Sequence, residues 1–309
     1  MDVSIIIPTY NRLWSLPAAI KSCKSSVCSI EIIVIDDGST DESYNWLKQQ
    51  TNIKVLRQEN WGKCWAANRG FEIATGKYVR FLDSDDLLNE NAIDEQFILA
   101  EKENANVVVS GYKIIDEKST IIREQKWIYC DDFIAQQLGE CDSSHYSAYL
   151  FEKAFLNDIR HRPDFAFRDD RLFVLEVAIK NPKVSIHIGY ALLHRVHPNQ
   201  RLQFTSHSYI QNYQHHQLYK KIYSILSSRN QLTKRRINAG ISILWSLAHW
   251  TAKYNLNDAS QIAKWIFSLN SDFEIPEKGL LGFFYRTLGF KNTERMLRIR
   301  RTLLSKEIQ

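Results

Sequence analysis

Tyr78-Val-Arg-Phe-Leu-Asp-Ser-Asp-Asp86 is an apolar run that ends directly in three carboxylates. Carboxylates gathered at the end of a buried strand are costly to hold unless something positive sits between them. A hard divalent cation meets that need, because magnesium and manganese take carboxylate oxygens and keep positions open for phosphate. The plainer alternative is a solvated turn that starts the next helix. What surrounds the cluster separates the two readings.

Upstream and downstream, strand and helix signals alternate. Val3–Ile7, Ile30–Ile35, Ile53–Leu56 and Val107–Tyr112 are short apolar runs with no polar face. Between them, helical spacing covers Leu13 to about Cys23, Lys63–Thr75 and Asn91–Asn104. Ser39-Thr-Asp-Glu42 has the form of a capping box opening a helix through Leu47, and Gly76 is placed to end a helix in the left-handed conformation. Strands apolar on both faces, alternating with helices, predict an α/β fold with a mostly parallel sheet and helices on both faces. Such sheets bind ligands at the carboxyl ends of their strands. Asp36-Asp37 and Asp83-Ser-Asp85 both fall at such ends, so one crevice is expected to hold them. Asp86 reads as the cap of the following helix.

After Ile115 the pattern becomes irregular, with helices near Asp132–Leu138 and over Asp170–Lys180, then strands at Val184–Ile188 and Ala191–Val196. From about Ser208 every segment reads as helix. The expected organisation is therefore an α/β domain over 1–205 whose pattern changes near 115. A helical C-terminal region with a basic end follows over 206–309.

The net charge is +5, and the stretch from Leu280 to Gln309 carries seven Lys/Arg against two acids, an excess equal to the whole net charge. Five cysteines, with no C-x-x-C pair, fit reduced thiols in a cytoplasmic protein better than a disulfide framework or a zinc ribbon. No signal peptide is visible. Asn238–Ala252 is too short for a comfortable membrane span and reads as a buried helix. No recognised nucleic-acid motif is present.

The phosphate loops of common nucleotide sites are also missing. No G-x-G-x-x-G follows the first strand and no G-K-[ST] occurs, which excludes dinucleotide-binding and P-loop chemistry and weighs against a nucleotidyltransferase. Instead the chain carries Ile5-Ile-Ile-Pro-Thr-Tyr-Asn-Arg12, Val34-Ile-Asp-Asp-Gly-Ser-Thr-Asp41, Asn60-Trp-Gly62 leading to Ala67-Asn68-Arg69-Gly70, Gly76-Lys-Tyr78 and Phe81-Leu-Asp-Ser-Asp-Asp86. In order and spacing these motifs resemble family 2 glycosyltransferases of the bacterial surface-polysaccharide type, which have the GT-A fold. The resemblance is strong over residues 3 to about 115 and weak to about 200.

The resemblance implies that 1–205 is a catalytic domain with a nucleotide half (1–115) and an acceptor half (116–205), a UDP-sugar donor and a divalent metal, manganese or magnesium. Pro8, Tyr10, Asn11, Asp37, Lys63 and Asp83 would then serve the nucleotide, with Asp37 accepting from the uracil N3–H. Asp85 would ligate the metal, with Asp83 and His197 beside it. His197 lies in His194-Arg-Val-His197, where strand alternation puts Arg195 and His197 on one face. A catalytic base is implied in the acidic pair of Phe167-Arg-Asp-Asp-Arg-Leu-Phe173. Asp170 is assigned, with Asp169 as the alternative; a carboxylate at a helix N-terminus is favoured in its ionised form by the dipole.

The expected activity is inverting transfer of a sugar from a UDP-sugar to a hydroxyl of a saccharide acceptor, lipid-diphosphate-linked, in O-antigen, capsule or lipopolysaccharide assembly. The competing reading is a catalytically silent module of the same fold that binds nucleotide-sugars or glycans. At the C-terminus, Met296, Leu297, Ile299 and Leu303 among arginines suggest a basic amphipathic helix peripheral to the cytosolic face of the inner membrane; packing onto the helical region is the alternative.

Overall fold

A computed structural model of the chain describes residues 1–198 and 208–306, and the side chains of 208, 209 and 300–306 lie outside that description. The boundary expected near Thr205 falls outside the described residues. Two compact units are present: Met1–Phe133 with Asp142–Gln200, and Ile134–Cys141 with Arg201–Gln309.

The first unit begins with β1 (Val3–Thr9), α1 (Leu16–Ser22), β2 (Ile30–Asp36), α2 (Ser43–Leu47), β3 (Lys54–Arg57), α3 (Lys63–Ile73) and β4 (Tyr78–Phe81). β5 (Leu87–Leu88), α4 (Ala92–Glu103), β6 (Val107–Ile115) and β7 (Ile121–Gln125) follow. After α5 (Phe133–Leu138) come β8 (Leu150–Glu152), α6 (Asp169–Ala178) and β9 (Val184–Arg195). The strands form one nine-stranded sheet in the order β3-β2-β1-β4-β8-β6-β9-β5, with β7 on β6.

β1 through β4 are parallel, as the two-sided apolar runs predict. Beyond β4 the sheet is mixed: β8 lies antiparallel to both β4 and β6, β5 is antiparallel to β9, and β6 runs parallel to β9. β1 is buried along its full length. Pro8 is tolerated in this central strand because pairing with β4 ends at Ile6↔Phe81, so no hydrogen bond on that side needs its missing N–H. The strands predicted separately at 184–188 and 191–196 are one strand, kept continuous by register shifts opposite Gly111.

Two local expectations give way to longer-range contacts. Ser39 does not cap a helix: its hydroxyl accepts from Asn11 N at 3.0 Å and its N–H donates to Asp36 at 3.2 Å, and α2 starts only at Ser43. Gly76 is not left-handed; α3 ends at Ala74 in extended conformation, and a Cβ on Gly76 would lie 2.6 Å from Ser4 N. Glycine is needed there because the chain crosses the edge of β1.

The second unit contains α7 (Ser208–Ser228), α8 (Lys234–Ala252), α9 (Leu256–Leu269) and α10 (Gly279–Lys306), the last broken at Gly289 (φ 75°). The core includes Tyr219, Tyr223, Leu244, Trp245, Ile262, Ile266, Tyr285 and Phe290. The short segment Ile134–Cys141 belongs here too, with Tyr219 donating to the Leu138 carbonyl at 2.8 Å. No described helix is long and apolar enough to cross a membrane.

Candidate active site

The carboxyl ends of β1, β2, β4 and β9, and the N-termini of α3 and α6, carry the polar side chains that the sequence singled out. At the exit of β2, Asp36 is buried and meets Arg57 Nε at 3.3 Å, which fixes the loop. Asp37 accepts from Gln58 Nε2 at 2.7 Å, Trp61 N at 3.0 Å and Gly62 N at 2.9 Å. Its carboxylate thus sets the start of α3, directly before Lys63. Asn11, expected at the nucleotide, is half-buried beside this loop. At φ 51° its carboxamide oxygen accepts from Thr40 N at 2.8 Å and Asp41 N at 3.2 Å, so it ties the exits of β1 and β2 together.

Lys63 is the centre of the site. Its ammonium lies 2.7 Å from Asp83 Oδ1 and 3.1 Å from Asp170 Oδ2. Burial works against the charge, but the Asp170 and Asp83 carboxylates outweigh it and hold the lysine pKa well above its ordinary value. Burial likewise opposes the Asp83 carboxylate, whose pKa is nonetheless lowered by Lys63, His145 and His194. One side chain therefore joins a carboxylate after β4 to one on α6.

Asp85 accepts from His197 Nε2 at 2.9 Å and lies 3.8 Å from Arg12 Nε. The Trp14 ring meets His197 edge-on at 4.6 Å. Asp86 does not cap a helix. Fully buried, it accepts from Arg195 N at 2.9 Å and faces His194 Nδ1 at 3.1 Å, which fastens the end of β9 to the acidic turn. Asp83, Asp85 and Asp86 each offer an oxygen within 4.8 Å of the others. This set of hard oxygen donors fits magnesium or manganese, and His197 stands beside it through its contact with Asp85.

The acidic pair divides its labour. Asp169 is buried, paired through Oδ2 with His161 Nδ1 and accepting from Arg162 N at 2.5 Å. His161 Nε2 meets the Tyr146 hydroxyl at 2.6 Å, and its ring stacks on Phe173 at 4.5 Å. Burial would raise the Asp169 pKa, but His161 and the Arg162 amide hold it below the usual range. Asp170, its side chain 35% exposed, faces Lys63 instead. Burial pushes the thiol pKa of nearby Cys64 up, helped by Asp169, which leaves it a poor nucleophile.

Tyr10, Trp14 and Trp61 are exposed at the same strand exits, while Pro8 is buried in β1. His145 and His194, stacked at 4.7 Å, were not found from the sequence. His145 carries no motif, and the role of His194 appears only when β9 meets Asp86.

The family model for glycosyl transferase family 2 matches residues 4–158, half of the chain. The chain belongs to that family. The glycosyltransferase GlyG of Streptococcus pneumoniae is 36% identical to this family 2 chain over 121 residues, 37% of the chain and 40% of GlyG. The poly(ribitol-phosphate) beta-N-acetylglucosaminyltransferase TarP of Staphylococcus aureus is 26% identical over 202 residues, 61% of each protein. The chain thus spans less than two thirds of the length of these relatives. Residues 1–349 of S. aureus TarS, solved in complex with UDP-GlcNAc, match 98% of this chain and 92% of that one with a TM-score of 0.56 at 15% identity, a likeness of fold.

Proposed function

We propose that this family 2 chain transfers a sugar from a UDP-sugar to a hydroxyl of a saccharide acceptor with inversion at the anomeric carbon. The observation that carries the proposal is the Lys63 bridge, which brings Asp170 within one ammonium's reach of Asp83. Asp170 takes the proton of the acceptor hydroxyl, and the freed oxygen forms a bond to the anomeric carbon. The bond from that carbon to the diphosphate breaks on the opposite face, and the electron pair leaves with UDP. Lys63 orients the Asp170 carboxylate, and Asp169 with His161 and Tyr146 holds the start of α6 in place.

Asp83, Asp85 and His197 are the residues we assign to a divalent cation, with Asp86 close behind them. Such a cation supplies Lewis-acid neutralisation of the departing diphosphate. Tyr10 and Asp37 form the base-binding wall in this reading, with buried Pro8 fixing the end of β1 behind them, and exposed Trp61 offers a further flat surface beside Asp37. A silent module is favoured only where Asp170 points away from the crevice; its position beside Lys63 supports an enzyme instead.

The UDP-GlcNAc complex of TarS and the N-acetylglucosaminyl transfer for which TarP is named make UDP-GlcNAc the first donor to try. The acceptor we propose is a lipid-diphosphate-linked saccharide of a bacterial surface polysaccharide, met at the cytosolic face of the inner membrane. A screen of UDP-sugars for manganese-dependent UDP release, with and without such acceptors, tests this. Acceptor-stimulated release with one donor is expected, and no release with any donor or acceptor would refute the reading.

A further inference from the structure

The first stretch of α10 turns its apolar side outward. Gly282 and Tyr285 are buried and define its inner face. At about 3.6 residues per turn, Leu280, Phe283, Phe284 and Thr287 fall on the opposite side, with Leu288 at the border. Leu280 is 71% exposed, Phe283 54% and Leu288 43%. A helix that packs one face and leaves leucine and phenylalanine on the other has an unsatisfied apolar surface.

Charge on this helix is one-sided as well. Beyond the break at Gly289, Phe290, Thr293 and Glu294 turn inward, while Lys291, Arg295, Met296, Arg298 and Ile299 are exposed. Glu294 is the one acid between Lys278 and Ile299, and it is committed inside, accepting from Tyr285 at 2.7 Å and pairing with His249 at 2.6 Å. Every exposed charge from 278 to 299 is therefore positive: Lys278, Arg286, Lys291, Arg295 and Arg298. The surface combines protruding apolar groups with a rim of cations.

We infer that the outward face of Gly279–Leu288, with the cations of 278–298, docks onto an anionic lipid surface. Apolar side chains would enter the boundary between headgroups and acyl chains, and the cations would meet phosphate headgroups. A second copy fits this surface poorly, since a two-fold contact would set the same cations against themselves. The sequence pattern had pointed to Met296, Leu297, Ile299 and Leu303. Met296 and Ile299 are exposed, as that pattern requires, while Leu297 is half-buried; the structure adds the apolar residues Leu280, Phe283 and Leu288 before the break at Gly289. This docking rests on the proposed membrane-linked acceptor for its purpose, but its detection does not.

Sedimentation of the full chain with phosphatidylcholine vesicles, with and without phosphatidylglycerol, tests the inference. The chain is expected to co-sediment only with the phosphatidylglycerol vesicles, and less so as salt is raised. Leu280→Ser with Phe283→Ser, both on exposed positions, should weaken this partition by about tenfold or more. Lys291→Glu with Arg295→Glu should weaken it similarly and flatten its salt dependence. UDP release measured with a soluble acceptor should be unchanged in both double variants, so failure of docking and failure of transfer are read separately. Equal partition of wild type and Leu280→Ser/Phe283→Ser would overturn the inference. So would a wild-type chain that stays in the supernatant, whether it dimerises through this face or binds an acidic protein there.

Discussion

Neighbouring aspartates on α6 illustrate how position decides chemistry at the residue scale. Asp169 is enclosed by His161 and the Arg162 amide, so its charge serves the fold, whereas Asp170 keeps an open side and a lysine partner. Asp170→Asn should lower the turnover rate by roughly 100- to 10,000-fold while UDP affinity and thermal stability stay near wild type. Asp169→Asn should do the reverse, costing about 1–3 kcal/mol of stability through the buried His161 it leaves poorly paired. Steady-state kinetics with thermal unfolding of both variants separates the roles, and equal effects in the two would count against the assignment. The acidic pair was visible in the sequence, with Asp170 assigned and Asp169 as the alternative; the enclosure of Asp169 was not, because it depends on His161 arriving from another segment.

Between residue and fold, the elements are joined by a few buried contacts that periodicity does not display. Glu31 on β2 accepts from Ser4 at 2.5 Å, Thr75 Oγ1 at 2.8 Å and Lys54 at 2.5 Å, linking β1, β3 and the approach to β4. Burial alone would raise its pKa, but these donors hold it at about 2, below the ordinary 4.5. A lowered folded-state value means that its stabilisation is complete above the unfolded pKa and is lost as pH falls from about 4.5 towards 2. Glu31→Gln should therefore flatten the acid limb of stability between those values, and an unchanged limb in urea titrations would contradict the pairing. Gly76 is a second such joint. Gly76→Ala would put a methyl group 2.6 Å from Ser4 N and 2.9 Å from the Tyr78 carbonyl, backbone atoms with no room to yield. About 1–3 kcal/mol of destabilisation is expected in the same assay, and a neutral effect would argue against this close crossing. The four parallel strands were legible because each lies in a short, largely apolar run that alternates with helical spacing. β8 was not, since Leu150–Glu152 is too short to show a period, and it is this strand that turns the sheet from parallel to mixed.

Across the whole molecule, a sheet built from nearby chain segments gathers carboxylates that are distant in sequence. Asp37 fixes the loop before Lys63, Lys63 joins Asp83 to Asp170, and Asp85 with His197 completes one connected group. The motif residues of this group could be read from the chain, because strand ends were predictable. His145 and His161 could not, and although Arg12 and His194 lie in quoted motifs, their contacts with Asp85 and Asp86 depend on packing beyond them. The segment Ile134–Cys141, which joins the helical unit, was equally hidden, since a short helix says nothing of its neighbours. Calorimetric titration of UDP into wild type, Asp85→Ala and Asp170→Asn, each with and without manganese, tests the proposed convergence most directly. The account predicts manganese-enhanced binding in wild type and Asp170→Asn and its loss in Asp85→Ala; the same UDP affinity with and without manganese in all three would contradict it.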